Sequence, residues 1–145
     1  MRAAELRELL ADPAQAGAYF VDAADTQALA AAGAALEFAV ARIDLDGCGD
    51  KAELLRRVAA ALNFPDWFGH NWDALADSLE DLSWLPAAGY LLLLERAQDW
   101  QAQAGDDAAT LLDILNEASA QWAEARKPFW ALFPMPSDRL DAIAP

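Results

Sequence analysis

Three observations predict an α/β fold with a small three-stranded parallel sheet packed by helices. Residues 90–94, YLLLL, are a continuous apolar run, which suits a strand covered on both faces. Residues 36–45, LEFAVARIDL, are largely apolar on both sides, with Leu36, Phe38, Val40 and Arg42 alternating against Ala39, Ala41, Ile43 and Leu45. Residues 127–133 supply a third strand around PFWALF, and stretches of helical spacing separate the three. Strands alternating with helices imply right-handed crossovers and a parallel sheet between helical layers.

A length of 145 residues suggests one domain able to bury a core without disulfides or metal. The single cysteine, Cys48, forbids an intramolecular disulfide, as in a reducing cytoplasm, and with one histidine the chain has few ligands for zinc or iron–sulfur sites. No cofactor is expected. The amino terminus MRAAELRELL has charges among its apolar residues and no uninterrupted hydrophobic stretch, so no signal peptide is expected. The longest aliphatic run is too short to span a bilayer, so the expected location is the cytoplasm. The net charge of −14 repels nucleic acid phosphates and anionic membranes and attracts a basic protein surface. The same charge would also serve solubility alone, and composition does not separate the two readings.

In chain order, residues 1–34 read as an Ala-rich extension packed on the domain. It contains a helix over 3–10, a short apolar segment over 17–21 whose residues 18–21 suit an edge strand, and a helix over 25–32 capped by Asp22 or Asp25. The domain proper covers 35–133. After the 36–45 strand, Asp46-Gly47-Cys48-Gly49-Asp50 is a turn, and Asp50 caps a helix with Glu53 at its third position. Leu54, Leu55, Val58, Ala61 and Leu62 form its core face. Cys48 reads as an ordinary loop residue, because no base is predictable near it. Trp84-Leu85-Pro86 breaks the chain before the 90–94 strand; helices are expected over 95–103 and 108–125, the latter turning Leu111, Leu112, Leu115, Ala118 and Trp122 inward. Residues 134–145, with three prolines, read as a surface tail.

The stretch that carries chemistry is residues 63–82, NFPDWFGHNWDALADSLEDL. Pro65 and Gly69 place residues 64–70 in an aromatic turn, and Asn71 sits where an N-cap belongs, with Asp73 in the first turn of a helix over 72–82. Trp72, Leu75, Ala76, Leu79 and Leu82 make its apolar stripe, and Asp73, Asp77, Glu80 and Asp81 gather opposite. Like charges four apart destabilise a helix by about 0.2–0.5 kcal/mol per pair, and a merely solvated face is the ordinary reason to find them. Trp67 and Phe68 beside the carboxylates argue for more, because apolar anchors next to charge are how a small interface places its strong contacts.

FPDWFGHNWDALADSLEDL resembles the signature of the barstar family, intracellular inhibitors of barnase-type ribonucleases, and the resemblance runs over residues 36–133. It implies a three-stranded parallel sheet packed by helices. It also implies a non-enzymatic inhibitor of the antitoxin or immunity type, monomeric when unbound, whose helix plugs the active site of a basic ribonuclease with carboxylates standing where RNA phosphate would lie. By match to the motif, Asp77 is the principal anchor, Asp73 stands beside it, and Asn71 and Gly69 contact through side chain or backbone. Trp67 is a contacting aromatic of the turn, Phe68 its neighbour or a core residue, and Glu117, in the stretch ILNEA, the additional acidic contact. The family pattern carries a tryptophan where this chain has Ala76 and a glutamate where it has His70, which points to a ribonuclease other than barnase.

Two other readings use the same residues. As an enzyme, the chain would employ Asp73, Asp77 and Glu117 as acid, base or Mg²⁺ ligands. It lacks a glycine-rich phosphate loop, a nucleophile motif and a cofactor fingerprint, so a non-enzyme is expected. As a barstar-like binding module, it would take a partner that is not a ribonuclease.

Overall fold

In the computed structural model, which describes residues 2–143, β1 (Ala18–Asp22), β2 (Ala39–Asp44), β3 (Tyr90–Glu95) and β4 (Phe129–Met135) form one all-parallel sheet in the order β1-β4-β3-β2. The sheet therefore has four strands, which corrects the expected three. The added strand is the edge segment of the Ala-rich extension, in register with β4 from Ala18 opposite Ala131 to Asp22 opposite Met135. Local sequence gives a five-residue strand little support. Its stability comes from distant partners: Tyr19 packs on Trp130 with ring centroids 5.7 Å apart, and Phe20 on Phe133 at 5.3 Å.

Alternation along the strands divides the core. On one face α1 (Ala3–Leu10) and α2 (Thr26–Ala35) bring Leu6, Leu10, Leu29 and Ala32 onto Leu91, Leu93, Trp130 and Leu132. Gly33 lets α2 approach closely, since a Cβ there would lie 2.8 Å from Leu91 Cδ2. The indole Nε1 of Trp130 donates to Leu10 O at 2.9 Å, tying α1 to the sheet. On the other face α3 (Lys51–Ala61), α4 (Trp72–Asp81), α5 (Gln98–Gln103) and α6 (Asp106–Glu124) cover Ala41, Ile43, Tyr90, Leu92, Leu94, Phe129, Ala131 and Phe133. Both faces of β3 are covered, as its unbroken apolar run requires.

Local signals set most boundaries. The Asp50 carboxylate accepts from Glu53 N at 2.8 Å and starts α3. The residues from Glu95 to Ala97 are not helical, contrary to expectation. Glu95 ends β3 opposite Asp44 and holds Arg42 through two hydrogen bonds, and Arg96 then turns the chain at φ 54°. Gly105, at φ 59°, lets α6 begin two residues before the expected start. The carboxyl-terminal end also differs from a surface tail. β4 continues through buried Pro134 to Met135, and α7 (Ser137–Ile143) follows, with Leu140 packed on the core. Pro134 is tolerated in a strand with neighbours on both sides because it comes last but one, where the ladder is ending. Among the described residues no helix is long and apolar enough to cross a membrane.

Candidate functional site

The turn before α4 is built from rings. Phe64 lies edge-on to Phe68 at 4.8 Å and to Trp84 at 5.7 Å, and Trp84 in turn lies edge-on to Trp67 at 6.1 Å. The Trp84 Nε1–H donates to Leu62 O at 3.0 Å, so a half-buried indole anchored to the end of α3 backs the outer ring. Trp67 itself is 68% exposed, one of two large apolar side chains standing in solvent among the described residues. Phe68 is 4% exposed and belongs to the core. Its place is beneath the turn, against Phe64 and His70, and not on the surface. The spacing of Trp84 from Trp67 gives no local signal in the sequence, because the two rings meet through tertiary folding.

Backbone geometry then delivers α4. His70, rather than Gly69, adopts the left-handed conformation, at φ 52°, and its ring packs on Phe68 at 4.8 Å. At Gly69 a Cβ would stand 3.2 Å from Asn71 Nδ2, close enough that the capping amide would have to shift by a few tenths of an ångström. Asn71 caps the helix as expected, with Oδ1 accepting from Ala74 N at 2.8 Å and Nδ2 donating to Gly69 O at 3.3 Å. Lys51 Nζ sits 5.7 Å from the Trp72 ring and links the start of α3 to the start of α4.

Leu75, Ser78, Leu79 and Leu82 are buried under α4, whereas Asp73, Asp77, Glu80 and Asp81 are exposed. Four residues is slightly more than one turn, so Asp73 and Asp77 stand one above the other on the outer face. None of the ion pairs among the described residues includes Asp73, Asp77, Glu80, Asp81 or Glu117. Five of the ten Lys and Arg residues, Arg42, Arg56, Arg57, Arg96 and Arg139, pair elsewhere, with Asp44, Asp46, Glu53, Glu95 and Asp99. Leu82 ends the helix in the left-handed region at φ 45°, buried, and its N–H bonds Ser78 O.

Glu117 lies on α6, which packs beside α4; Trp122 Nε1 of α6 donates to Leu79 O of α4 at 2.7 Å. Asn116 Oδ1 accepts from Ala18 N at 2.9 Å, so that residue's flank of α6 faces β1. Glu117 is exposed and about 100° further round the helix, on the opposite flank from Asn116 across the buried stripe Leu111, Leu115, Ala118. The structure thus assembles Asp73, Asp77, Asn71 and Trp67 on and before one helix, sets Glu117 on its neighbour, and withdraws Phe68 into the core. Among the described residues no three His, Cys, Asp or Glu side chains gather as a metal site.

Comparison with solved structures finds the ORC2 protein of Aeropyrum pernix (ADPNP-ADP complexes) similar in fold, with a TM-score of 0.62 over 96% of this chain at 16% identity. This chain spans 41% of that one. Comparison with curated proteins finds no match. The family model described as Barstar (barnase inhibitor) matches residues 38–134, which contain β2, α3, the aromatic turn, α4, β3, α5, α6 and all but the last residue of β4. The chain belongs to the barstar (barnase inhibitor) family.

Proposed function

We propose that the chain inhibits a basic, barnase-like ribonuclease by inserting the outer face of α4 into its active site as a mimic of RNA phosphate. Family membership implies a barnase-inhibitor-like function. The observation that carries the mechanism is the exposed pair Asp73 and Asp77, outside every ion pair of the described residues, beside the backed ring of Trp67. A ribonuclease must present Arg and Lys side chains to a polyanion, and carboxylates on a rigid helix satisfy those donors with little ordering of the inhibitor. Asp77 is the central anchor, Asp73 the second carboxylate, Glu117 the flanking acid from α6, and Trp67 the apolar contact; Asn71 and Gly69 hold the approach to the helix. The net charge of −14 accelerates encounter with a cationic enzyme, whereas the close pairs slow dissociation.

The test is co-expression with a barnase-like ribonuclease of the native host, together with fluorogenic RNA cleavage by that enzyme and by barnase at increasing inhibitor. Stoichiometric inhibition lost in Asp77→Ala is the expected result. Capture from the native host of partners with no ribonuclease among them, with no inhibition of either enzyme, would overturn it.

A further inference from the structure

The sheet has two edge strands, β1 and β2, and they are finished differently. At β1 the outward Ala18 N–H is taken by the Asn116 side chain of α6 at 2.9 Å. β2 has no such closure along its middle. Ala39 N–H bonds Gly89 O and Leu45 N–H bonds Glu95 O, so the odd-numbered residues address β3. The even-numbered residues from Phe38 to Asp44 therefore point their N–H and C=O groups away from the sheet. Two of these groups are already used: Phe38 N–H donates to Gly33 O at 3.0 Å, and Asp44 O accepts from Arg57 Nη1 at 2.9 Å. Phe38 O, both backbone groups of Val40 and of Arg42, and Asp44 N–H have no partner among the described residues. Such an open row is a template for a further strand.

We propose that β2 pairs antiparallel with β2 of a second copy of this chain, about a two-fold axis at Ala41, and joins two sheets into one. The occupant follows from self-complementarity. In that register Val40 faces Arg42 of the second copy and Phe38 faces its Asp44, each at a position where antiparallel neighbours exchange N–H···O bonds. The free Val40 and Arg42 groups then satisfy one another, and Asp44 N–H meets Phe38 O. The two groups already used, Phe38 N–H and Asp44 O, fall opposite each other, so neither is missed. Moving the axis to Ala39 or Ile43 sets a used group against a free one. Ala41 is the pair on the axis, where Cα atoms approach to about 4.5 Å and a small side chain fits. Charge matches at both ends of the pairing. Glu37, exposed and outside every ion pair of the described residues, comes opposite Leu45 of the second copy. Beside that Leu45 stands Arg57, whose Nη1 spans Asp44 O and Asp46 O while its Nη2 is unused. Arg42 is neutralised by its own Glu95 and does not repel its counterpart. Residues 37–44 include none of α4 or the aromatic turn, so the pairing stands apart from the ribonuclease reading. It departs from the unbound monomer that the family resemblance implies.

Sedimentation velocity of the full chain, from about 1 μM to about 1 mM, tests this at about 0.5 M salt, which screens the repulsion between two acidic copies. A reversible equilibrium of monomer and dimer is the expected result. Val40→Pro removes an outward N–H where an edge strand accepts proline, and should weaken the dimer at least about tenfold while urea unfolding stays cooperative. Ala41→Cys sets two thiols across the axis at a separation that a disulfide spans. Its oxidised samples should hold a covalent dimer, separable by reductant, that the parent with its one buried cysteine does not form. Monomer at every concentration, a dimer that Val40→Pro leaves as tight, or no disulfide in the Ala41→Cys sample would overturn the proposal.

Discussion

Replacing Asp77 with alanine should move stability and binding in opposite directions. In the free protein Asp77 stands four residues from both Asp73 and Asp81 and three from Glu80, all exposed on α4. Each like-charge pair destabilises the helix by about 0.2–0.5 kcal/mol, and Asp is itself a poorer helix former than Ala by up to about 0.7 kcal/mol. Asp77→Ala should therefore stabilise the free chain by about 1 kcal/mol, read as a higher urea midpoint at unchanged slope. The ribonuclease complex should lose at least about 2 kcal/mol, roughly thirtyfold in dissociation constant, because the enzyme's cationic cleft is left without its central carboxylate. Inhibition of RNA cleavage measures the second effect and urea unfolding the first. Unchanged inhibition, or a loss of stability that parallels the loss of binding, would refute the assignment of Asp77 as a solvent-facing anchor held in readiness.

Asn71→Ala removes the cap on Ala74 N and should lower stability by about 1 kcal/mol in urea unfolding, within the usual 0.5–2 kcal/mol range for lost caps. Leu10, 1% exposed beside Leu6, Leu29 and Trp130, makes the extension part of the core, so Leu10→Ala should destabilise the whole chain by about 2–5 kcal/mol in a single unfolding transition. The Arg96 guanidinium, chiefly by hydrogen bonding, holds the Asp44 carboxyl below the usual carboxylate range. A carboxylate more acidic in the folded state adds stability above its unfolded pKa of about 3.9 and loses it as pH falls through the folded value. The urea midpoints of Arg96→Gln and the parent should thus differ at pH 7 and converge below about pH 4. Burial raises the Cys48 thiol above its ordinary value, so reaction with a disulfide reagent at pH 7.5 should be slow until denaturant is added.

Short-range patterns determined much of this protein from the sequence alone. The unbroken YLLLL run, the Asp50 and Asn71 caps and the split of α4 into leucines and aspartates all depend on contacts within a few residues, where spacing is information. The exposure of Asp73 and Asp77 followed from that spacing, because a helix cannot bury both of its faces against one sheet. Tertiary structure alone decided what required distant segments to meet. Five residues at Ala18–Asp22 became a strand only because β4 offered them an open edge and two rings. Trp84 came to stand behind Trp67, and α6 beside α4, through packing no local pattern encodes. Strand pairing and side-chain packing across the chain are long-range, and their favourable free energy exists only once the fold has brought both partners together.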